Sequence, residues 1–391
     1  MKKITYLDNA ATSWPKPESM AAAMAEFNRS VGANPGRSGH TLSIEAARTV
    51  MDAREALADL FGVSDMLRIV FTKNATEALN IVISGLLKPG DHAITTSMEH
   101  NSVMRPLRFA ATNGVSLSIA PCTETGELDP QAIADLITPD TRAIFMTHAS
   151  NVTGTIMPVA EVGAIARERG VLLCVDASQT AGALPISVSD MHIDFLAFTG
   201  HKALLGPQGT GGLYMRKGLE EFIPSPMLGG TGSRSEFEVQ PDFMPDKYEA
   251  GTPNTIGLAG LHAGARFIMD TGIGTIRQKE MALTARLIEG LDSISGVRIF
   301  GTRDASKQTA VVSLTVAGIN PSQLSMMLDE QYGIMSRPGL HCAPAAHRTI
   351  RTFPEGTVRL SPGFFTTAED IEYAVRAIAR IAKKENGVGS S

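Results

Sequence analysis

The chain has 391 residues, of which 43% are hydrophobic and 19% are charged, and its formal net charge is −5. A chain of this length exceeds one compact layered unit, so two domains are expected. The weakly acidic balance and the lack of a basic cluster exclude the charge pattern of nucleic-acid binding and membrane-surface binding.

The N-terminal residues MKKITYLDNAAT turn polar before the apolar stretch of a signal peptide can form. No run approaches the roughly 18 apolar residues of a membrane span. The three cysteines are too few, and odd in number, for a disulfide framework. We therefore expect a protein of the cytoplasm.

The first two thirds of the chain alternate short apolar runs with amphipathic stretches. Several runs are apolar throughout, as strands are when helices cover both faces of a parallel sheet. Helical patterns lie between them, such as residues 45–62, where apolar residues recur every three or four positions up to Gly62. This alternation predicts the α/β class with an open, doubly wound sheet. The predicted strands are 67–72, 92–98, 116–122, 142–150, 171–178, 195–200 and 211–215.

After about residue 260 the pattern changes to a long helical stretch and then to three apolar runs separated by helices. Pro321 suits the first position of one helix, and Thr367 with Asp370 resembles a capping box at the start of the last helix. These features predict a second, smaller α+β domain. The expected boundaries are 18–262 for the large domain, and 1–17 together with 263–391 for the small one.

Two polar residues follow buried strands in the middle of the chain. Lys202 ends FTGHK, and Asp176 follows the apolar run VLLCV. A lysine after a strand is commonly a surface residue, and an aspartate there commonly caps a helix. However, desolvation turns a lysine into a nucleophile toward carbonyl groups, and a buried aspartate requires a cationic partner. The presence of both residues, each at the end of a buried strand, favours a functional site.

Two weaker features follow other strand ends. In TKNATEALN a polar turn precedes a helix that begins near Thr76, and a helix N-terminus binds anions such as phosphate. In SMEHNS, His100 lies just past a strand, where an imidazole can stack on a flat ring and move protons. Each feature alone is weak, because N-caps and structural histidines are common.

The segment SRPGLHCAPAAH places Cys342 between turns rich in glycine and proline. Loops carry functional residues more often than regular elements do. A nucleophilic cysteine requires exposure and a positive neighbourhood, and Arg337, His341 and His347 are the nearby residues that could supply it. The other two cysteines fall in apolar runs and are expected to be small core residues.

The order of these motifs resembles one family. LDNAAT, NATEALN, EHNS, SNVTGT, VDASQ, GHK, AGTPN and RPGLHCAP follow one another as in the class V aminotransferases, which are fold-type I enzymes dependent on pyridoxal 5′-phosphate (PLP). The resemblance covers residues 6–363 and is nearest to the SUF-type (group II) cysteine desulfurases. It implies a mostly parallel central sheet with helices on both faces, and a smaller C-terminal α+β domain that carries the cysteine loop.

The resemblance also implies a role for each matching residue. Lys202 would hold PLP as a Schiff base, Asp176 would pair with the pyridinium nitrogen, and His100 would stack on the ring. Lys202, His100 and Cys342 would be the catalytic residues. The other implied cofactor contacts are Ala75 (through its N–H), Thr76, Gln179, Thr199, His201 and, from the neighbouring subunit of a homodimer, Thr252. The implied substrate-binding residues are Asn151, Ala11, Arg337 and Arg359, the last holding the substrate carboxylate.

The implied reaction converts L-cysteine to L-alanine. Lys202 would be displaced by the substrate and would take the Cα proton, and the Cys342 thiolate would attack the substrate sulfur to form a persulfide. The sulfur would then pass to an acceptor protein or a reductant. No metal is implied. Iron–sulfur assembly, tRNA thiolation and selenium supply all stay open as destinations.

The short connection from Cys342 to Arg359 resembles that of group II, where it implies a confined persulfide and a dedicated acceptor. Leu340 stands where a histidine is common, and Gly36, before Arg37, stands where another would be. These departures leave acceptor docking and substrate preference open. Two alternative functions remain. One is a selenocysteine lyase or another β-eliminating lyase, in which Cys342 matters less because selenium leaves more readily. The other is a PLP-binding regulator without turnover, against which the full set of site residues counts.

Overall fold

The computed structural model describes residues 4–36, 38–234 and 236–388, with the backbone alone at 385–388. Arg37, next to the departure at Gly36, lies outside the described residues. None of the described helices is long and apolar enough to cross a membrane.

Thirteen strands and eleven α-helices are assigned within these ranges. The strands are β1 (Thr5–Tyr6), β2 (Ile69–Thr72), β3 (His92–Thr96), β4 (Ser116–Ala120), β5 (Thr141–Thr147), β6 (Leu172–Asp176), β7 (Phe195–Thr199), β8 (Gly211–Met215), β9 (Val297–Phe300), β10 (Val312–Val316), β11 (Ile334–Met335), β12 (Arg337–Gly339) and β13 (Thr357–Leu360). The helices are α1 (Glu18–Ser30), α2 (Thr41–Phe61), α3 (Ala75–Leu86), α4 (Asn101–Thr112), α5 (Pro130–Ala134), α6 (Val159–Arg169), α7 (Thr255–Thr271), α8 (Ile273–Asp292), α9 (Pro321–Tyr332), α10 (Pro344–Thr349) and α11 (Ala368–Val388).

The central sheet has seven strands in the order β2-β8-β7-β6-β5-β3-β4. The pairs from β4 through β7 are parallel, whereas β8 runs antiparallel to both β7 and β2. Each of the seven predicted apolar runs overlaps one of these strands, and only β5 begins one residue before its run. The prediction of a mostly parallel central sheet is therefore confirmed.

Both faces of the sheet are covered, which explains why its strands lack alternation. In β5, Ala143 and Phe145 lie in one hydrophobic core with residues of α3 and α4, and Ile144 and Met146 lie in a second core with residues of α2, α6 and α7. Successive side chains of a strand point to opposite faces, so a strand with a helix layer on each side must be apolar at every position.

A separate core forms around a four-stranded antiparallel sheet, β12-β13-β10-β9, which packs against α8, α9 and α11. β1 pairs in parallel with β11, so residues 5–6 join the C-terminal part of the chain. α7 runs unbroken across residue 262. The domain boundary at that position remains a prediction.

The predicted helix ends follow ordinary capping chemistry. Gly62 closes α2 in the left-handed conformation, with φ of 65°. Pro321 is the first residue of α9, after an Asn320 N-cap with a full capping box. Before α11, the Thr367 hydroxyl accepts from the Asp370 N–H at 3.2 Å and the Asp370 carboxylate accepts from the Thr367 N–H at 3.1 Å. Each of these predictions is confirmed.

A buried ion pair fastens the segment before α7 to the sheet. Arg54 of α2 is 2% exposed and donates to both carboxylate oxygens of Glu249, at 2.8 and 2.9 Å. The same carboxylate accepts the Phe71 N–H at 2.7 Å, and the guanidinium lies 4.6 Å from the centre of the Phe71 ring. This one ion pair thus connects α2, β2 and the segment before α7.

Replacing Glu249 by glutamine should lower the free energy of unfolding by about 3 kcal/mol, because it leaves the Arg54 charge buried and unpaired. Urea unfolding followed by circular dichroism measures the change. The matched control is Glu45→Gln, whose 3.2 Å pair with Arg48 is exposed and should contribute less than about 0.5 kcal/mol. Equal shifts of the two midpoints would contradict the assignment.

Candidate active site

The carboxyl ends of five strands meet at one pocket of about 490 Å³. The chain leaves β3 outward to β4 and returns on the other side to β5, which makes the topological switch point where α/β sheets bind ligands. The lining residues come from the segments that follow β2, β3, β5, β6 and β7. They are Asn74, Ala75, Thr76, His100, Ser102, Thr147, Asn151, Asp176, Ser178, Gln179, Thr199, His201 and Lys202.

Lys202 follows β7 at the inner wall of this pocket. Burial lowers the pKa of its amine to about 8; the Asp176 carboxylate opposes that effect, and the Arg359 and Arg337 guanidinium groups add to it. A substantial fraction of the amine is therefore neutral near pH 8, which is the nucleophilic form. The alternative of an ordinary surface lysine does not fit this placement.

Asp176 ends β6 and is 4% exposed. Its carboxylate accepts the Ser178 N–H at 2.9 Å and the Ser178 hydroxyl. The chain passes from β6 to β7 through turns alone, so Asp176 does not cap a helix. A buried carboxylate that faces the pocket and has only hydroxyl and N–H donors can still pair with a ligand cation.

The pocket has an anion cradle at one end. The Asn74 side chain caps α3 by accepting the Glu77 N–H at 3.0 Å, which leaves the first N–H groups of the helix, at Ala75 and Thr76, without intrahelical partners. Opposite them, Thr199 Oγ1 and His201 Nδ1 are buried with no hydrogen-bond partner among the described residues. Orphaned polar atoms are costly. A phosphate group would satisfy both sides of the cradle.

His100 caps α4 and also lines the pocket. Burial lowers its pKa to about 4, against the opposing charge of Asp176, so the ring is neutral. The Ser102 N–H donates to Nδ1 at 3.0 Å, which places the single proton on Nε2. His100 therefore fills both of the roles considered for it, since it caps α4 as a structural residue and also faces the pocket.

Arg359 of β13 is 1% exposed and lies between two acceptors. Its Nη2 donates to Asp8 at 2.9 Å and its Nη1 donates to the Asn151 carbonyl at 3.0 Å. The Nε atom is buried without a partner in the described chain. No local pattern pointed to Asp8 as the counter-ion, because 351 positions separate it from Arg359.

Cys342 is exposed in the loop between β12 and α10. Arg337 Nη2 lies 3.8 Å from its sulfur, as expected for a thiol in a positive neighbourhood. His341 and Cys342 are consecutive left-handed residues, with φ of 50° and 58°, and such residues cost about 1–3 kcal/mol each. Their carbonyls are held by the Asn151 side chain at 2.7 Å and by the Asn101 N–H at 2.8 Å.

The expectation that His341 and His347 add positive charge beside Cys342 is wrong. Burial lowers the pKa of His341 to about 2 and that of His347 to about 4, so both rings are neutral. Their nitrogens bond to each other, at 3.2 Å, rather than to the thiol. The prediction for the remaining thiols is confirmed for Cys174, which is fully buried; Cys122 is half-buried, and burial raises the pKa of both.

Three other predicted residues lie at or beyond the edge of the site. Gln179 lines the pocket and donates to the Ala10 carbonyl at 3.2 Å, whereas the neighbouring Ala11 is not among the residues that line the pocket. Thr252 is exposed and borders a different groove, near Lys73. Its predicted role toward a neighbouring subunit therefore stays a prediction.

A residue that the sequence did not single out lies behind the pocket. Glu99 is fully buried, and its Oε1 accepts from the Thr96 hydroxyl at 2.6 Å and the Thr147 N–H at 3.0 Å. Burial raises its pKa to about 8, and the nearby Asp176 charge adds to that effect. Its only signal in the sequence was its place beside His100 in EHNS.

Residues 5–374 match the family model described as aminotransferase class-V. The chain belongs to the class-V aminotransferase family. This family and its fold depend on PLP in general. The pocket accordingly contains a desolvated lysine, a buried aspartate and an anion cradle.

Two relatives of this chain are both named probable cysteine desulfurase. A probable cysteine desulfurase from Methanothermobacter thermautotrophicus is 36% identical, over 96% of this chain and 94% of that protein. A probable cysteine desulfurase from Pyrococcus abyssi is 35% identical, over 98% of this chain and 95% of that protein.

Solved structures agree with the class-V fold. An apo cysteine desulfurase from Thermococcus onnurineus has a TM-score of 0.92 at 35% identity, covering 97% of this chain and 95% of that one. The cysteine desulfurase CsdA of Escherichia coli, in an S-sulfonic acid form, has a TM-score of 0.87 at 30% identity, with coverage of 97% and 95%. The predicted fold-type I architecture is confirmed.

In cofactor-free protein, acetic anhydride should label Lys202 with a pH midpoint near 8, well below the ordinary lysine value of about 10.4. Asp176→Asn should lower that midpoint further, because the carboxylate favours the charged amine. Peptide mass spectrometry across a pH series measures both. A Lys202 midpoint at the ordinary value would contradict the desolvated site.

Proposed function

We propose that this chain is a PLP-dependent cysteine desulfurase, which converts L-cysteine to L-alanine and takes up the sulfur on Cys342. One observation carries the proposal: Asn151, which lines the pocket of Lys202 and Asp176, donates to the His341 carbonyl at 2.7 Å and so places the exposed Cys342 next to that pocket. An aminotransferase has no need for a thiol at that place. Relatives and structural neighbours with this printed name support the proposal.

Each end of the pocket holds a different part of the cofactor. Ala75, Thr76, Thr199 and His201 would hold the phosphate, and Lys202 would hold the carbonyl carbon. Asp176 would pair with the pyridinium nitrogen, Gln179 would bond the ring hydroxyl and His100 would cover the ring face. When bound, PLP supplies an electron sink that weakens the bonds at the substrate Cα.

Lys202 moves the protons of the reaction. With a pKa held near 8 by burial, the freed amine can take the Cα proton and later return a proton, since a base poised near the working pH does both. Neutral His100 offers only its Nε2–H toward the pocket, so it acts as a hydrogen-bond donor.

Cys342 is the nucleophile of the sulfur step. Its thiolate forms an S–S bond to the substrate sulfur while the Cβ–S bond breaks. The electron pair of that bond stays on Cβ, which takes a proton and becomes the methyl group of alanine. No external oxidant is needed. The Arg337 guanidinium, 3.8 Å from Sγ, stabilises the anionic sulfur.

Arg359 orients the substrate through its carboxylate. Its Nη1 and Nη2 atoms bond to the Asn151 carbonyl and to Asp8, yet each keeps a second N–H, and the unpartnered Nε adds another donor for an incoming carboxylate. Asn151, Ala11 and Arg337 are the other proposed substrate contacts. The buried, unpartnered Nε favours amino acids with a free carboxylate, because that group would satisfy it.

The proposal extends to two partners. A homodimer would bring an exposed Thr252 to the phosphate of the neighbouring subunit. An acceptor protein would collect the persulfide sulfur in the cytoplasm and pass it on, with iron–sulfur cluster assembly as one destination. The short, anchored loop around Cys342 supports an acceptor that approaches the sulfur directly.

Lys202→Ala should lose the absorbance band of covalently held PLP, because Lys202 is the one lysine among the described residues that line the pocket. The spectrum is recorded after gel filtration to remove free cofactor. Asp176→Asn serves as the comparison, since it keeps the amine. Persistence of the band in Lys202→Ala would overturn the cofactor assignment.

Cys342→Ala should lower alanine production from L-cysteine by at least about a hundredfold, because the sulfur has no acceptor. Its PLP spectrum should stay that of wild type. Turnover of selenocysteine should persist, since selenium leaves with less help. If wild type turned over selenocysteine alone, and did so without Cys342, the chain would be a selenocysteine lyase.

A further inference from the structure

The backbone around Cys342 is strained and therefore needs support. Two consecutive non-glycine residues, His341 and Cys342, adopt the left-handed conformation. Asn151 and the Asn101 N–H hold their carbonyls, but these bonds do not reach the side of the loop toward α10. That side is occupied by the two neutral histidines.

The histidines form a chain of hydrogen bonds with one possible direction. His341 Nε2 lies 3.0 Å from the Arg337 carbonyl oxygen, which can only accept, so Nε2 carries the proton. His341 Nδ1, 3.2 Å from His347 Nε2, must then accept. His347 Nδ1 accepts in turn from the Thr352 hydroxyl, at 2.7 Å. The chain runs from Thr352 through both rings to Arg337.

The chain is sealed from water. His347 is 0% exposed and His341 is 4% exposed, and the two rings stack with their centres 5.4 Å apart. Burial holds both rings neutral, and every ring nitrogen is occupied within the chain. Neither histidine is therefore available as a base for the Cys342 thiol. Their role must be mechanical.

We propose that His347 and Thr352 are positioning residues for the Cys342 sulfur. Their hydrogen bonds hold the His341 ring and, through it, the Arg337 carbonyl. His341 and Arg337 are the two ends of the segment 337–341, which leads into Cys342 and sets its Sγ beside the Arg337 guanidinium. Neither residue borders the PLP pocket. The inference deepens the proposed function and rests on it for its activity readout, because only attack by Cys342 depends on this geometry.

The activity test compares two substrates in holoenzyme. Thr352→Val removes the first donor with little change in shape, and kcat for L-cysteine should fall about tenfold with KM within twofold, because displacement of a reacting group slows attack. Selenocysteine turnover and the PLP band should stay within twofold of wild type. Thr352→Ser keeps the hydroxyl and should restore cysteine turnover. His347→Gln should behave as Thr352→Val does.

The matched control is Thr349→Val. Thr349 lies in α10, as His347 does. Its hydroxyl donates to the Ser97 and Ala345 carbonyls, which are not part of the histidine hydrogen-bond chain. Its loss should leave the ratio of cysteine to selenocysteine turnover unchanged. Wild-type cysteine turnover in Thr352→Val, or a parallel loss of both substrates and of the PLP band, would overturn the positioning role.

A second measurement is independent of activity. Long-range ¹H–¹⁵N correlation spectra of histidine-labelled wild type should show His341 and His347 as neutral Nε2–H tautomers at pH 7.5. In Thr352→Val the His347 signals should shift. A charged ring or an Nδ1–H tautomer on either residue would overturn the chain. Wild type without cysteine turnover but with these tautomers would instead contradict the proposed function alone.

Discussion

The removal of the Lys202 amine from water beside the Asp176 carboxylate is the constraint on which the site depends. Parallel strands bring their carboxyl ends to one edge of the sheet. The helix layers packed on its two faces keep water away from the strands that lead to that edge. In such surroundings a lysine becomes a nucleophile and an aspartate needs a cation. The sheet therefore supplies electrostatics as well as a scaffold. The helix start at Ala75 adds the complementary site for an anion.

Much of this arrangement follows from local sequence. Unbroken apolar runs predicted the covered strands, and polar residues at or just past the ends of three runs, Asp176, His100 and Lys202, predicted the pocket wall. This works because strand ends are local features and a parallel sheet gathers them at one edge by geometry. Capping at Gly62 and Pro321 was predictable for the same reason.

The parts that the sequence left hidden depend on contacts between distant or enclosed groups. Asp8 meets Arg359 because residues 7–9 pair with Ser361 just after β13, and Glu249 meets Arg54 across the sheet edge. His341 and His347 were close in sequence, yet their protonation could not be inferred, because it is burial that keeps the rings neutral. Local pattern thus predicted the positions of the groups better than their charges.

The distribution of the thiols allows each chain to be labelled at one position and counted. Cys174 is enclosed in β6, the Cys122 thiol is held protonated by burial, and Cys342 alone is exposed. A thiol-directed fluorophore added in small excess to the native protein will therefore attach at one place per subunit. The label reports the number of intact loops in a preparation, and it provides a single spectroscopic marker at the mouth of the pocket.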